Sequence, residues 1–590
     1  MKYSNIPLAQ TVTALCKEKG IKHIIISPGS RNAPLTISFT EDSYFKTYSI
    51  VDERCAAFFA MGIAQQLGKP TAVVCTSGSA LLNYYPAIAE AFYSDIPLVV
   101  LSADRPSYRI DIGDGQTIRQ DNVYARHILY TALLKQDIRG TELKLSGDGK
   151  NASKLTKDLS PIHLQNEIQQ NNERELNKAL NTAFEECGPV HINIPFEEPL
   201  YNKVEEQFVT PQNIVPETME ETYSKEALQP FMDIWNKAAR KLVLVGVNAP
   251  DSIDMAYLEA LAKDDSVIVF TETTSNINHS NFFPNIDKII APLEKLENPE
   301  AYFNKLKPEV LLTFGGMIIS KKIKAFLRKN QPENHWHIDT KKAYNTYYCL
   351  SKHFKTSPNK FFNEFLQGIQ PKLSDYLPYW LSVKASRSKA HKQYVTQIPF
   401  SDFKAYERIL KTIPDNYQLQ LSNSSTIRYA QLFQLNNTLK VFCNRGTSGI
   451  DGSTSTAVGA AVVSEEAVLF ITGDLSFFYD SNALWNNYLK TNFRIILINN
   501  GGGGIFRILP GEKDSKNFDD YFETTHNLNA KGICDTYNID YQSITTEEEL
   551  FDEIPKFYED KGRPALMEIF TPRKINDEVL LKYFTFLSKN

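Results

Sequence analysis

The sequence predicts an α/β protein built from three consecutive α/β domains with mainly parallel sheets. Three observations carry that expectation. Short apolar runs alternate with amphipathic helical patterns along the chain, as in sheets covered by helices on both faces. At 590 residues, the chain is too long for one hydrophobic core and suits about three domains of average size. Finally, arginines, carboxylates and amides recur just after the apolar runs, on the edge where open α/β sheets bind ligands.

Residues 1–200 hold four clear strand candidates: His23-Ile24-Ile25-Ile26-Ser27, Thr71-Ala72-Val73-Val74-Cys75, Pro97-Leu98-Val99-Val100-Leu101 and Val190-His191-Ile192-Asn193-Ile194. The polar stretch from Leu143 to Ser160 reads as a mobile excursion. Residues 201–378 repeat the pattern with Lys241–Val245, Ser266–Phe270 and Val310–Phe314. Residues 379–590 repeat it again with Ala467–Ile471 and Arg494–Ile498, and the segment from Ser481 to Lys490 reads as the helix joining those two strands in parallel.

Composition excludes several classes of function. Hydrophobic content of 42% and charged content of 23% are ordinary for a globular chain. A net charge of −5 with no basic run argues against a nucleic-acid surface. No apolar run approaches the roughly 18 residues of a membrane span, and the N-terminus has no signal-peptide pattern. Seven scattered cysteines without a C-x-x-C pair fit a reduced protein, so a cytoplasmic location is expected.

The chemistry concentrates on Gly473-Asp474-Leu475 and Asn499-Asn500-Gly501-Gly502, which follow the two strands of the third block. A carboxylate, an amide oxygen and the carbonyls of a glycine-rich turn make a hard-oxygen donor set suited to Mg²⁺ holding a diphosphate. The plain alternative is that Asp474 and Asn500 only cap helices or turns. A nucleotide loop does not account for the glycines, because position 506 is Phe where G-x-G-x-x-G needs Gly, and no G-K-[ST] follows.

This segment resembles the diphosphate-binding motif of thiamine-diphosphate enzymes, in which Gly-Asp is followed further along by Asn-Asn. The resemblance implies the thiamine-diphosphate-binding fold, thiamine diphosphate as cofactor, and Mg²⁺ or Mn²⁺ held by Asp474, Asn500 and the carbonyl of Gly502. Leu475 stands where the family usually has Gly. The resemblance also implies a glutamate for the cofactor's aminopyrimidine, and Glu53 matches, at the start of an amphipathic helix carrying Ala56, Phe59, Ala60 and Ile63. Read alone, Glu53 is an ordinary complement to a helix dipole. Ser77, Gly78, Ile450, Leu475, Ser476, Ile505 and Phe506 are the further cofactor contacts implied. In this family the glutamate of one subunit meets the metal site of its partner, so a homodimer is the minimum assembly and a homotetramer is open.

Six strings narrow the resemblance: S-P-G-S-R-x-x-P-L, A-D-R-P, G-x-x-Q-x-I-R-Q, N-R-G-x-S-G-I-D-G, G-D-L-S and N-N-x-G-G-x-I-F. Together they are similar to the 2-succinyl-5-enolpyruvyl-6-hydroxy-3-cyclohexene-1-carboxylate synthases of menaquinone biosynthesis. This closer resemblance implies decarboxylation of 2-oxoglutarate and 1,4-addition of the resulting carbanion to isochorismate. Ser424, Arg428 and Arg445 would hold 2-oxoglutarate. Ser30, Arg31 and Arg105 would hold isochorismate, with Gln116 over the reacting centre and Phe506 and Leu509 lining the pocket. Lys321 or Lys322 is a central-block candidate for isochorismate. Arginine suits such carboxylates because it binds them bidentately and keeps its charge. Each arginine could instead pair with a neighbour such as Asp104 or Asp451, and Ile450, Phe506 and Leu509 could be plain core. The rival activities are another thiamine-diphosphate carboligase or decarboxylase of acetohydroxyacid synthase type, a non-catalytic relative, and a nucleotide-dependent enzyme.

Overall fold

The computed structural model describes residues 2–138, 161–216, 221–509, 511 and 513–589. The stretch 143–160 lies outside the described residues. The described chain forms two compact units: residues 1–218 with 446–465 and 479–490, and residues 219–445 with 466–478 and 491–590.

The first unit is built on a six-stranded sheet in the spatial order Lys46–Ser49, His23–Ile26, Thr71–Cys75, Leu98–Asp104, Val190–Pro195, Tyr130–Leu133. Every neighbouring pair is parallel. The central strands are buried along their whole length, which is why they read as unbroken apolar runs. His191 lies in this sheet as a core residue, its Nε2 2.7 Å from the Ser102 hydroxyl.

The second unit carries two parallel sheets. The five-stranded one runs Val267–Phe270, Lys241–Val245, Val310–Phe314, Asn334–Ile338, Leu350–Phe354. The six-stranded one runs Lys440–Cys443, Gln418–Leu421, Val468–Gly473, Phe493–Asn499, Ala565–Phe570, Asp540–Ile544. Helix Tyr376–Gln397 joins their cores and runs through position 378. Tyr376, Leu377 and Trp380 pack with the five-stranded sheet, and Ala390, Tyr394 and Val395 with the six-stranded one.

Both six-stranded sheets have one strand order when their strands are counted along the chain: second, first, third, fourth, sixth, fifth. In each, chain direction across the sheet reverses between the first and third strands. The loops after those two strands diverge and leave a crevice at the carboxyl edge, the usual ligand position of open α/β sheets.

One expectation is corrected. The link between Gly473 and Phe493 is not a helix over 481–490. An α-helix starts at once as Asp474–Tyr479, a single 3₁₀ turn follows at Ser481–Leu484, and irregular chain completes the link. Side chains take up the backbone there: Asn486 accepts from the Tyr488 N–H at 2.8 Å and donates to the Ala483 carbonyl at 2.7 Å, and Lys490 donates to the Ser464 carbonyl at 2.6 Å. Such local bonds compete with helix, as expected for Asn.

In the first unit, helix Glu53–Leu67 lies against helix Ser453–Val463 at glycine contacts. A Cβ on Gly62 would overlap the Thr456 carbonyl, and one on Gly459 would overlap the Phe59 carbonyl. Asp480, fully buried, accepts from the Ser455 N–H at 2.7 Å and hydroxyl at 3.0 Å, which ties down the start of the second helix. Gly459→Ala is expected to separate the helices and cost roughly 1–3 kcal/mol by overpacking, read as a lower midpoint in urea unfolding of the holoenzyme.

Candidate cofactor and substrate site

The first unit gathers one set of candidates at the carboxyl edge of its sheet. Glu53 opens the helix after strand Lys46–Ser49, and Asp52 caps that helix by accepting from the Cys55 N–H at 3.1 Å. With the cap supplied by Asp52, the half-buried Glu53 carboxylate lies near Asn83, whose Nδ2 is 3.4 Å away. Ser77 and Gly78 follow strand Thr71–Cys75. The Ser77 hydroxyl is buried without a hydrogen-bond partner. Gly78 has φ +90°, and a Cβ there would stand 3.2 Å from the Gln116 carbonyl, so a glycine lets the Gln116 loop close in. Gln116 has φ +57° and an exposed side chain. Ser30 is exposed, while Ile450, in the same unit, is 37% exposed and therefore not a core residue.

The arginines of this unit differ. Arg31 is buried, donating to the Phe196 carbonyl at 2.9 Å and to Glu198 at 2.5 Å, and its Nε has no partner. Arg105 holds the Gly115 carbonyl through Nε and Nη2, at 3.1 and 2.8 Å, next to Gln116 in the chain. Asp104 does not neutralise it. That carboxylate accepts from the Arg105 backbone N–H and from Asn193 instead.

The second unit presents the metal-site candidates. Asp474, buried, opens the short helix after strand Val468–Gly473; its Oδ1 accepts from the Leu475 N–H at 2.7 Å and its Oδ2 from the Gly502 N–H at 3.0 Å. Leu475 and a buried Ser476 complete the first turn. Asn500 follows strand Phe493–Asn499. Its Nδ2 donates to Asp402 at 2.9 Å, which fixes the amide orientation and leaves Oδ1 buried and without a partner. Gly502 has φ +151°, and a Cβ there would stand 2.7 Å from the Glu523 carbonyl, so no side chain fits. An anchored carboxylate, a buried orphan amide oxygen and a bare turn fit a divalent cation of Mg²⁺ type. No group of three or more His, Cys, Asp or Glu suited to a metal occurs among the described residues; the donor set here is carboxylate, amide and carbonyl.

Ile505 is half-buried, and Phe506 and Leu509 are 38% and 48% exposed, so these residues also lie outside the core. In the same unit, Ser424 has φ +66° at the start of helix Ser425–Ala430, a backbone conformation that costs about 1–3 kcal/mol in a non-glycine residue and recurs at functional sites. Arg428 is exposed and makes no ion pair among the described residues. Partial desolvation of its guanidinium and the nearby charge of Arg445 pull it below the usual guanidinium range, while Asp287 opposes them. Arg445 Nη1 donates to Asn423 at 2.6 Å. Lys321 and Lys322 form the first turn of helix Lys321–Lys329, where a cation opposes the helix dipole. Lys322 is engaged by Glu294 at 2.5 Å, whereas Lys321 is exposed.

Several residues of these edges escaped sequence reasoning. Gln120, buried, accepts from the Gly78 N–H at 3.0 Å and donates to Asn193 at 2.7 Å. Glu90 accepts from the Gly446 and Thr447 N–H groups, both at 2.6 Å, and from the Thr447 hydroxyl at 2.7 Å. Its signal was a lone carboxylate in the run Ala87-Ile88-Ala89-Glu90-Ala91. Asp402 holds Asn500 and accepts from Thr571 at 2.5 Å; burial pushes its carboxyl up to about 6. His526 brings Nε2 to 3.3 Å from Asp474 Oδ2. Neither of the last two had a sequence signal, since each meets its partner only in the folded chain.

Family models match three stretches of the chain. Residues 6–125 match the N-terminal TPP binding domain of thiamine pyrophosphate enzymes, 218–421 the thiamine pyrophosphate middle domain, and 423–569 the C-terminal TPP binding domain. The protein is thus a thiamine-diphosphate enzyme of α/β fold. Among curated proteins it is 60% identical over 587 residues to a 2-succinyl-5-enolpyruvyl-6-hydroxy-3-cyclohexene-1-carboxylate synthase of Christiangramia forsetii, with 100% of both chains covered. Synthases of the same name from Flavobacterium psychrophilum, at 52% identity with 100% of both chains covered, and from Porphyromonas gingivalis, at 36% with 99% of this chain and 98% of the relative covered, are also similar. The chain belongs to the 2-succinyl-5-enolpyruvyl-6-hydroxy-3-cyclohexene-1-carboxylate synthase family.

Asp402→Asn is expected to free the Asn500 amide to turn and to weaken Mg²⁺-dependent cofactor binding about 10–100-fold, as loss of an outer partner of a metal ligand does. Titration of the apoenzyme with Mg²⁺ at fixed thiamine diphosphate checks this.

Proposed function

We propose that the chain catalyses the thiamine-diphosphate-dependent decarboxylation of 2-oxoglutarate and the 1,4-addition of the succinyl-semialdehyde carbanion to isochorismate. The products are 2-succinyl-5-enolpyruvyl-6-hydroxy-3-cyclohexene-1-carboxylate and CO₂, in menaquinone biosynthesis. The observation that carries this reading is the full-length identity of 60% to a synthase of that name. Exposed Arg428, without an ion pair among the described residues, is the structural feature that supports it, because a site for a dicarboxylate needs cations not already spent on the protein's own acids.

Asp474, the Asn500 amide oxygen and the Gly502 carbonyl would hold Mg²⁺ or Mn²⁺, and with it the cofactor's diphosphate. Thiamine diphosphate, when bound, supplies the electron sink that stabilises the carbanion left by loss of CO₂. Glu53 would hold a proton at the aminopyrimidine, with Ser77 and Gly78 shaping the loop around that ring and Ile450 beneath the cofactor. Leu475, Ser476, Ile505 and Phe506 would complete the cofactor contacts. Ser424, Arg428 and Arg445 would orient 2-oxoglutarate. Ser30, Arg105 and Gln116 would receive isochorismate with Phe506 and Leu509, and Arg31 would do so by exchanging Glu198 for a substrate carboxylate. Of the two lysines, Lys321 is our candidate, since Lys322 is engaged by Glu294.

We further infer three domains, 1–200, 201–378 and 379–590, a homodimer as the minimum assembly, with a homotetramer as a pair of dimers, and a cytoplasmic location. No helix of the described residues is long and apolar enough to cross a membrane. The seven cysteines are all free, which suits a reducing compartment.

The deciding assay combines purified protein, thiamine diphosphate, Mg²⁺ and 2-oxoglutarate, with and without isochorismate. Isochorismate-dependent loss of both substrates is expected; turnover of pyruvate alone would favour an acetohydroxyacid-synthase-like activity. Glu53→Gln should retain the cofactor and lose roughly 10²–10⁴-fold in turnover, the usual worth of a positioned proton-transfer group. Full activity of that variant would overturn its role. Mixing inactive Glu53→Gln with inactive Asp474→Asn should restore partial activity if each site draws on two subunits, and none if a single chain supplies both residues.

A further inference from the structure

Apart from the candidate site, the second unit contains a cavity of about 420 Å³ between the five-stranded sheet's outer loops and the 433–441 segment. None of the candidate cofactor or substrate residues lines it. Its chemistry is unusual. Lys288, Lys384 and Arg387 all border it, and the first and last are only 7% and 8% exposed.

Among the described residues these cations lack acids. The Lys288 ammonium makes no hydrogen bond or ion pair among the described residues, and the charged group that acts on it is another cation, Lys384. The Arg387 Nε is buried without a partner, and the groups that offset its burial are tyrosines rather than carboxylates. Lys384 donates to the Ser280 and Phe282 carbonyls, at 2.7 and 2.6 Å, which neutralises no charge. One carboxylate borders the cavity, Glu272, and it is occupied by the Ile319 and Ser320 N–H groups at 2.6 and 2.7 Å.

Removing a charge from water costs several kcal/mol unless a counter-charge is present. Three cations around one cavity therefore make a poor structural element and a good anion receptor. Burial and Lys384 push the Lys288 ammonium down to about 7, so a bound anion would restore its proton. The remaining wall includes the rings of Phe282, Phe283 and Phe433, and the volume exceeds that of an inorganic ion.

We propose that this cavity is a second ligand site, separate from the candidate active site, that binds a small organic dianion carrying an apolar body. Phosphate monoesters and dicarboxylates share that chemistry. The test is isothermal titration of the holoenzyme, saturated with thiamine diphosphate and Mg²⁺, with phenyl phosphate in one arm and phthalate in the other, at matched ionic strength. Saturable binding of at least one probe is expected, weakened tenfold or more in Lys288→Met and in Lys384→Met. The arm that binds more tightly identifies the anion class. Because the unpaired charge is removed, Lys288→Met should melt no lower than the wild-type protein without probe. Absence of saturable binding in both arms, or equal affinity in the two folded variants, would overturn the proposal.

Discussion

A parallel strand has its side chains on both faces and its chemistry at one end, and two sheets of this protein share one strand order that turns that end into a crevice. Where the chain reverses direction between the first and third strands, the loops part and leave room for a ligand. Ser30 and Arg31, then Ser77 and Gly78, follow those strands in the first unit. Ser424 and Arg428, then Asp474, follow their counterparts in the second. Glu53 and Arg445 follow the second strands, and Arg105 and Asn500 the fourth. Each candidate residue thus owes its position to strand order before any side-chain contact is made.

Within that frame, local bonds decide what each group is free to do. Asn500 is an ordinary amide until Asp402 takes its nitrogen, after which its oxygen has no partner but a cation or water. Asp52 performs the capping, so the Glu53 carboxylate is not spent on the helix N–H groups and meets Asn83 at 3.4 Å. Arg428 makes no ion pair among the described residues, with Asp287 near enough only to act on it at a distance, whereas Arg31 is already paired with Glu198. The same residue type therefore has different availability at different loops, and the differences come from neighbours distant in sequence.

The helix contact at Gly62 and Gly459 shows a second use of close approach. Both helices carry small residues, so their backbones touch, and the chain after Arg445 and after Phe478 is folded against the first 218 residues. The compact unit of the first 218 residues also includes segments 446–465 and 479–490, a grouping that sequence order does not reveal.

Local signals were enough for the fold class, the apolar central strands and the cofactor motif. Runs such as Ile24-Ile25-Ile26 and Ile495-Ile496-Leu497-Ile498 suit strands buried on both faces of a covered parallel sheet, and Gly-Asp with Asn-Asn is a motif of short range. The inner strand Gln418–Leu421 and the edge strand Lys440–Cys443, with polar residues in alternation, stood out less than the apolar runs. The helix expected over 481–490 failed because asparagine side chains took the backbone bonds, a competition that periodicity does not register. Asp402 on Asn500, His526 beside Asp474, Glu90 under the 446–448 loop and the unpaired cations around Lys288 all depend on residues brought together from far along the chain. Those could be decided only by the tertiary structure, because a buried polar group's partner is set by packing and not by its neighbours in sequence.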